Sequence, residues 1–279
     1  MAAVGERTVG SVRLATLEAG EGGRPLLLCH GFTGAKEDFG DWIDEFADEG
    51  WWVVAPDLRG HGASDQPPEE ADYSLSILAG DLLALAGGLG WERFSLVGHS
   101  MGGMVAQEVA ITAEDRLDRL VLMNTTHDAI EGLDGDTVAI AVAVLREQGL
   151  PALLELIASL PAAEKAPSDA RVRAERPGYA EFSDAKVHRC SGAMYAAMGS
   201  EMAHRRDRLP ELVELSVPTL VIVGDEDRLM LRASHEMADA MPSADLVVIP
   251  AAAHSPQFEN PQPWWEAVSS FLAAGLPVT

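Results

Sequence analysis

Leu96-Val97-Gly98-His99-Ser100-Met101-Gly102-Gly103 joins two apolar runs of different character. Arg93 to Val97 reads as a buried strand, and Met104-Val105-Ala106-Gln107-Glu108-Val109-Ala110 reads as a helix. A strand that turns sharply into a helix needs small residues where the two backbones cross. Gly98 and Gly102 sit two places either side of Ser100, where that crossing falls. Such a turn holds Ser100 in a strained backbone geometry with its hydroxyl directed away from the fold. The segment has the G-x-S-x-G form of a nucleophile elbow. Ordinary Gly-containing turns share this form by chance, so its meaning depends on the rest of the chain.

Working outward, strands and helices alternate. Arg7 to Glu18 alternates polar and apolar residues, as a half-exposed hairpin does. Pro25-Leu26-Leu27-Leu28-Cys29 and Trp51-Trp52-Val53-Val54-Ala55 are strands apolar throughout, which suits a sheet covered on both faces. Helices are expected around Trp42 to Ala47, closed by Gly50, and from Ser74 to about Leu89. Leu117 to Met123 is a further strand. From Thr125 to about Leu209 the rhythm breaks into helix-like runs: Asp136 to Gln148, Pro151 to Leu160, Asp184 to about Met198, and Ser200 to Arg208. A polar stretch from Pro161 to Ser183 separates them. The rhythm then resumes with strands Val217 to Val223 and Asp245 to Ile249, and with helices Leu231 to Met241 and Pro263 to Ala273. This pattern predicts one mainly parallel α/β sheet, covered by helices and interrupted by a helical insertion.

The bulk numbers narrow the function. A chain of 279 residues, 47% hydrophobic and 23% charged, buries a sizeable core. The net charge of −24 argues against nucleic acid or an anionic membrane as partner, because the field repels phosphates. No apolar run approaches the roughly 18 residues of a bilayer span; Leu26 to Cys29 and Val138 to Leu145 come nearest. The N-terminus lacks a basic segment followed by an apolar one, so no signal peptide is expected. Cys29 and Cys190 fit buried thiols of a reducing compartment, with the cytoplasm as the expected location. Metal-ligand spacings, G-x-G-x-x-G and P-loop patterns are missing, so the expectation is a small-molecule substrate with no metal and no cofactor. Monomer and homodimer are equally compatible with the sequence.

A serine nucleophile needs a base, a group that orients the base, and donors for the oxyanion. Candidates lie at expected C-terminal strand ends, the edge where open α/β sheets carry their sites. Val223-Gly224-Asp225-Glu226-Asp227 offers two aspartates, and Ala252-Ala253-His254-Ser255-Pro256 offers the base. His188, His204 and His235 fall inside expected helices as solvated positions, and His99 points away from the elbow. Backbone N–H groups after His30-Gly31-Phe32 can face the N–H of Met101 at the start of the elbow helix.

With these motifs in hand, the sequence resembles the α/β-hydrolase superfamily, in its cap-bearing, esterase-like branch. His30-Gly31-Phe32 looks like the oxyanion loop, and Asp57-Leu58-Arg59-Gly60-His61-Gly62-Ala63-Ser64 matches the D-x-R-G-x-G-x-S loop. Gly98 to Gly103 matches the elbow, Gly224 to Asp227 the acid loop, and His254-Ser255-Pro256 with Glu259-Asn260-Pro261 the histidine loop. The resemblance implies an eight-stranded, mainly parallel sheet from residues 1–124 and 210–279, with a helical cap over 125–209. It implies Ser100, His254 and Asp227 as catalytic residues, choosing Asp227 over Asp225 by its place in the motif. It further implies Phe32 and Met101 as oxyanion donors. Asn124 occupies the place where some relatives carry the acid, and the Asp57 to Ser64 loop is expected to be structural. Serine stands where dehalogenases and epoxide hydrolases of the superfamily carry aspartate.

The expected reaction is hydrolysis of a carboxylic ester of a small, mainly apolar substrate. Alternatives are carbon–carbon hydrolysis of vinylogous diketones or enol-lactone hydrolysis, then cofactor-free perhydrolase or haloperoxidase chemistry, then a non-catalytic small-ligand receptor. Expected substrate contacts are His30, Gly31 and His99 near the nucleophile. From the cap, Met194, Tyr195 and Met198 share an expected helix with Cys190. The arginines at 171, 173, 176 and 189 are expected to be solvated.

Overall fold

The computed structural model describes residues 1–132, 134–160 and 165–274. Its centre is one eight-stranded sheet. The strands are β1 (Ala3–Val9), β2 (Val12–Ala19), β3 (Arg24–Cys29), β4 (Trp51–Pro56), β5 (Phe94–His99), β6 (Leu117–Met123), β7 (Thr219–Gly224) and β8 (Ala244–Ile249). They lie in the order β1-β2-β4-β3-β5-β6-β7-β8. β2 runs antiparallel to β1 and β4, and every later pairing is parallel. The expected α/β class holds.

The continuous apolar runs are explained by a core on each face of the sheet. Along β3, Leu26 and Leu28 pack with Phe39, Ile43, Phe46 and Trp264. Leu27 and Cys29, one residue out of phase, pack on the other side with Leu78, Leu82, Met104 and Val109. Period-two geometry divides an all-apolar strand between the two layers. Each such side chain contributes about 1.5–3 kcal/mol relative to exposure. The covering helices on the N-terminal half are α1 (Ile43–Asp48), α2 (Leu75–Gly88) and α3 (Met101–Ala113). Ser74 starts α2 by accepting the Ile77 N–H at 3.1 Å on its side chain, as an N-cap does.

Between β6 and β7 the chain passes through α4 (Gly135–Ser159), α5 (Pro167–Glu175), α6 (Tyr179–Ala185), α7 (Gly192–Ala203) and α8 (Leu209–Leu212). α4 is broken at Gly149, whose φ of 85° and ψ of 169° are not helical, with Pro151 following. The two expected runs are therefore present on either side of that break. By length and a mean hydropathy of 1.4, α4 is apolar enough to match a membrane-crossing helix, although its longest uninterrupted apolar stretch is short.

Two expectations in this region are corrected. The polar stretch around Ser183 contains α5 and α6, which bury only a small apolar cluster, Val172, Tyr179 and Phe182 against Phe258, and carry arginine–carboxylate pairs on their surface: Arg173 bonds Asp169 at 3.0 Å and Asp184 at 2.9 Å. The helix expected from Asp184 instead begins at Gly192, capped by the Ser191 side chain, and continues through residue 199 to Ala203. Cys190 thus precedes the helix that carries Met194, Tyr195 and Met198, and residues 204–208 are not helical. After β7 comes α9 (Leu231–Ala240), and after β8 come α10 (Pro256–Glu259) and α11 (Pro261–Ala273). The parallel strands β3, β5, β6, β7 and β8 all end on one edge, which gathers Gly31, Ser100, Asn124, Asp227 and His254.

Candidate active site

Ser100 sits at φ 55° and ψ −120°, outside the regions L-residues favour. Its N–H donates to Met123 O at 2.9 Å, and its carbonyl accepts from Thr125 Oγ1 at 2.8 Å. These bonds and the glycines hold the strain in place. A Cβ on Gly98 would lie 2.3 Å from Gly102 O, and one on Gly102 would lie 2.4 Å from Cys29 O. A Cβ on Gly103 would meet Thr125 Cβ at 2.6 Å. The elbow closes only because all three positions lack side chains.

The serine hydroxyl faces His254. His254 Nε2 lies 2.9 Å from Ser100 Oγ, and Nδ1 lies 2.7 Å from Asp227 Oδ2. A carboxylate only accepts, so Nδ1 carries the proton and Nε2 is free to accept the serine proton. Burial disfavours the charged imidazolium, yet the Asp227 carboxylate outweighs it and holds the His254 pKa above its ordinary value. For Asp227, burial pushes the other way and is outweighed by His254 and by the Asn124 donor, so its pKa is lowered. Asn124 Nδ2 bonds Asp227 Oδ2 at 2.7 Å and Ala253 O at 2.8 Å. Asp225 does not face His254; its Oδ1 accepts the Ala252 N–H at 3.3 Å. The buried Glu259 carboxylate accepts N–H groups from Ala253 and Ser255, which flank the histidine.

His99 and His30 were expected at the substrate, and the structure gives them other partners. His99 Nε2 donates to His254 O at 2.6 Å, and burial pushes its pKa down to about 3, so a neutral ring braces the histidine loop. His30 is fully buried; its Nε2 accepts the Leu58 N–H at 3.0 Å and Nδ1 donates to Gly31 O at 2.8 Å. Gly31 approaches Ser100 closely, since a Cβ there would stand 3.1 Å from Ser100 Cβ. His61 Nε2 donates to the Phe32 carbonyl at 2.5 Å, which orients the residue following Gly31. The N–H of Met101 is the first of α3 and has no intrahelical acceptor.

The Asp57 to Ser64 loop is braced by its own groups. Asp57 accepts from Lys36 Nζ at 2.9 Å, Lys36 N at 2.8 Å and Ala63 N at 2.9 Å, while Ser64 Oγ donates to Asp57 O. These contacts are structural and lie away from Ser100.

A cavity of about 500 Å³ opens over Ser100 and His254. Phe32 and Tyr195 form part of its wall, their rings 4.6 Å apart. Met194 and Met198 do not line it; both are fully buried, and Met194 packs against the Gly60 turn. The lining that sequence reasoning missed comes largely from α4, where Val138, Ala141, Val142 and Leu145 face the cavity. Their i, i+3, i+4, i+7 spacing was the available signal. Of the four arginines expected to be solvated, Arg171 bonds Glu259 O at 2.6 Å, Arg173 bonds Asp169 at 3.0 Å and Arg176 bonds Asp41 at 2.9 Å, while Arg189 is exposed as expected.

Comparison with known proteins agrees with this architecture. A family model described as the alpha/beta hydrolase fold matches residues 24–261. A putative 2-succinyl-6-hydroxy-2,4-cyclohexadiene-1-carboxylate synthase of Bacillus subtilis (strain 168) is 28% identical over 273 residues, covering 94% of this chain and 96% of that protein. A thermophilic esterase from Thermogutta terrifontis superposes with a TM-score of 0.81 at 30% identity, over 97% of this chain and 98% of that one. The enol-lactonase from Burkholderia xenovorans LB400 gives a TM-score of 0.81 at 26% identity, over 96% and 99%. This protein belongs to the α/β hydrolase fold family and is a hydrolase.

Proposed function

We propose that this hydrolase cleaves carboxylic esters with a small, apolar acyl group through Ser100, His254 and Asp227. The observation that carries the reading is the unbroken hydrogen-bond line from Ser100 Oγ through both nitrogens of His254 to Asp227 Oδ2. As Ser100 Oγ attacks the carbonyl carbon, His254 Nε2 takes its proton and Asp227 stabilises the imidazolium. The N–H groups of Phe32 and Met101 receive the oxyanion. The carbon–oxygen bond to the leaving group then breaks, and Nε2 returns the proton to the departing alcohol. Water repeats the sequence on the acyl-enzyme, releasing the acid and restoring Ser100. The helices between residues 125 and 209 act as the cap, and the α4 stripe makes the acyl pocket.

Removing the hydroxyl tests this directly. Ser100→Ala is expected to fold and to lose roughly 10⁴–10⁶-fold of kcat toward p-nitrophenyl butyrate. Retained turnover would sink the mechanism. The likeness to an enol-lactonase favours a second reading, hydrolysis of a cyclic enol ester by the same residues. Comparing kcat/KM for an open-chain butyrate ester and a five-membered enol-lactone separates the two. A lactone preference of orders of magnitude replaces the first reading with the second.

A further inference from the structure

A second cavity, of about 640 Å³, also borders the candidate base. Asp227, Leu229 and His254 line both cavities, whereas Ser100 and Phe32 line only the apolar one. The two compartments therefore share the imidazole as a common wall, with Ser100 and Phe32 lining only the apolar one.

Their chemistry is opposite. Among the described residues, no lysine or arginine lines the first cavity, and apart from the catalytic groups its polar side chains are Thr137 and Tyr195. A charged acyl group placed there would lose its hydration without gaining a partner. The second cavity carries the carboxylates of Asp169, Asp225, Glu226, Asp227 and Glu259. Against them stand Lys165 and Arg228; Asp169 is paired with both Lys165 at 3.6 Å and Arg173 at 3.0 Å, which leaves Asp225, Glu226 and Glu259 as the acidic face beside Asp227. The hydroxyls of Tyr179, Ser183 and Ser255 supply neutral donors and acceptors.

Proton delivery settles which half of an ester goes where. In the serine mechanism the acyl carbon stays bonded to Ser100 Oγ, and the departing oxygen takes its proton from His254 Nε2. The leaving group accordingly departs along the imidazole, toward the compartment that shares His254 and lacks Ser100. The geometry points to this polar cavity as the leaving-group site, selecting alcohols that bear hydroxyl or cationic nitrogen groups and rejecting carboxylated ones. This inference rests on the serine-hydrolase reading and gives it a substrate class: an uncharged apolar acyl group joined to a polar, non-anionic alcohol.

The test uses the full chain and three butyrate esters differing in the alcohol: 2-methoxyethanol, choline and glycolate. At low salt kcat/KM for the choline ester is expected to exceed that for the glycolate ester by on the order of tenfold or more. The gap should narrow as salt rises to 1 M, because the charges face a solvent-connected compartment. Glu226→Gln should shrink the choline-to-glycolate ratio several-fold, while Ser100 still labels with a fluorophosphonate. Equal or faster turnover of the glycolate ester, with the 2-methoxyethyl ester hydrolysed and Ser100 labelled, overturns the leaving-group assignment and leaves the serine mechanism standing. No labelling and no turnover of any of the three overturns the mechanism itself, and the assignment with it.

Discussion

Asn124 Nδ2 lies 2.7 Å from Asp227 Oδ2, the same oxygen that accepts the His254 Nδ1 proton. One carboxylate oxygen is thus held between two donors, and the amide also ties down Ala253 O beside the histidine. Asn124 has a φ of 46°, a conformation that asparagine tolerates better than most residues. Asn124→Leu removes both donors at similar size. The expected result is a loss of about 2–4 kcal/mol in stability, from the acceptors left unsatisfied together with the strain of a leucine at positive φ. A fall of roughly tenfold in kcat/KM should accompany it, as Asp227 loses its fixed orientation. Urea denaturation and steady-state kinetics check the two effects separately, and native kinetics would show that Asp227 needs no such support.

The same carboxylate sets the pH dependence. Under the proposed mechanism His254 is the general base, which works unprotonated, so activity should rise as His254 loses its proton. Because Asp227 outweighs burial, the acidic limb of kcat/KM should have its midpoint above the ordinary imidazole range. Asp227→Asn removes the charge and leaves the burial, so that midpoint should move to lower pH. The rate at the plateau should also fall by about 10⁴-fold, because the imidazole loses its tautomer control. A limb that stays in place after substitution would assign it to some other group.

Strain at Ser100 is measurable as stability. A non-glycine residue at φ 55° and ψ −120° costs of order 1–3 kcal/mol. Ser100→Gly relieves that strain, while Ser100→Ala keeps it and also removes the hydroxyl. Both lose activity, but the glycine variant should be more stable than the alanine variant by about 1 kcal/mol after the entropy of the unfolded glycine is subtracted. Thermal unfolding of the pair gives the difference. Equal melting temperatures would mean that the elbow stores no strain.

Glycine positions separate by what surrounds them. Gly98→Ala and Gly102→Ala place a methyl 2.3 Å and 2.4 Å from backbone oxygens, which belong to elements fixed in the sheet and in α3. Each should destabilise by about 3 kcal/mol or more, or prevent soluble expression. Gly80, exposed in α2 with nothing within 4 Å of its added Cβ, should behave oppositely. Gly80→Ala should stabilise by about 0.5–1 kcal/mol through helix propensity. Chemical denaturation of the three variants reads the contrast.

What was legible in the sequence follows from how local each constraint is. The elbow glycines, the apolar strands and the acid and histidine loops each carry their meaning within a few residues, and all lie where the sequence reading placed them. The region between β6 and β7 is different. Helices α5 and α6 bury only Val172, Tyr179 and Phe182, whose partner Phe258 lies more than 70 positions away, and otherwise carry ion pairs such as Arg173 with Asp169 and Asp184, so no repeating apolar stripe marks them in the sequence. The start of α7 depends on the Ser191 cap and on its backbone bond to Gly60 O at 2.8 Å, a contact across 131 positions of chain. His99 was read as a substrate contact from its place beside Ser100. Its partner, the carbonyl of His254, becomes visible only once β5 and the loop after β8 are brought together.

The α4 stripe makes acyl length the most direct probe of the cap. Val142 is buried against the cavity, between Val138 and Leu145 on the same face of the helix. Val142→Phe extends an aromatic ring into space that an acyl chain would fill. Small p-nitrophenyl esters such as the acetate should be cleaved at near-native kcat/KM, because Ser100, His254 and Asp227 are untouched. Hexanoate should lose on the order of tenfold or more, as methylene-sized mismatches in apolar pockets are worth about 1–3 kcal/mol. Since the ring fills empty volume rather than packed core, melting temperature should change by only a few degrees. An unchanged chain-length profile would place the acyl group outside this cavity and, with it, remove the reason for assigning the alcohol to the polar one.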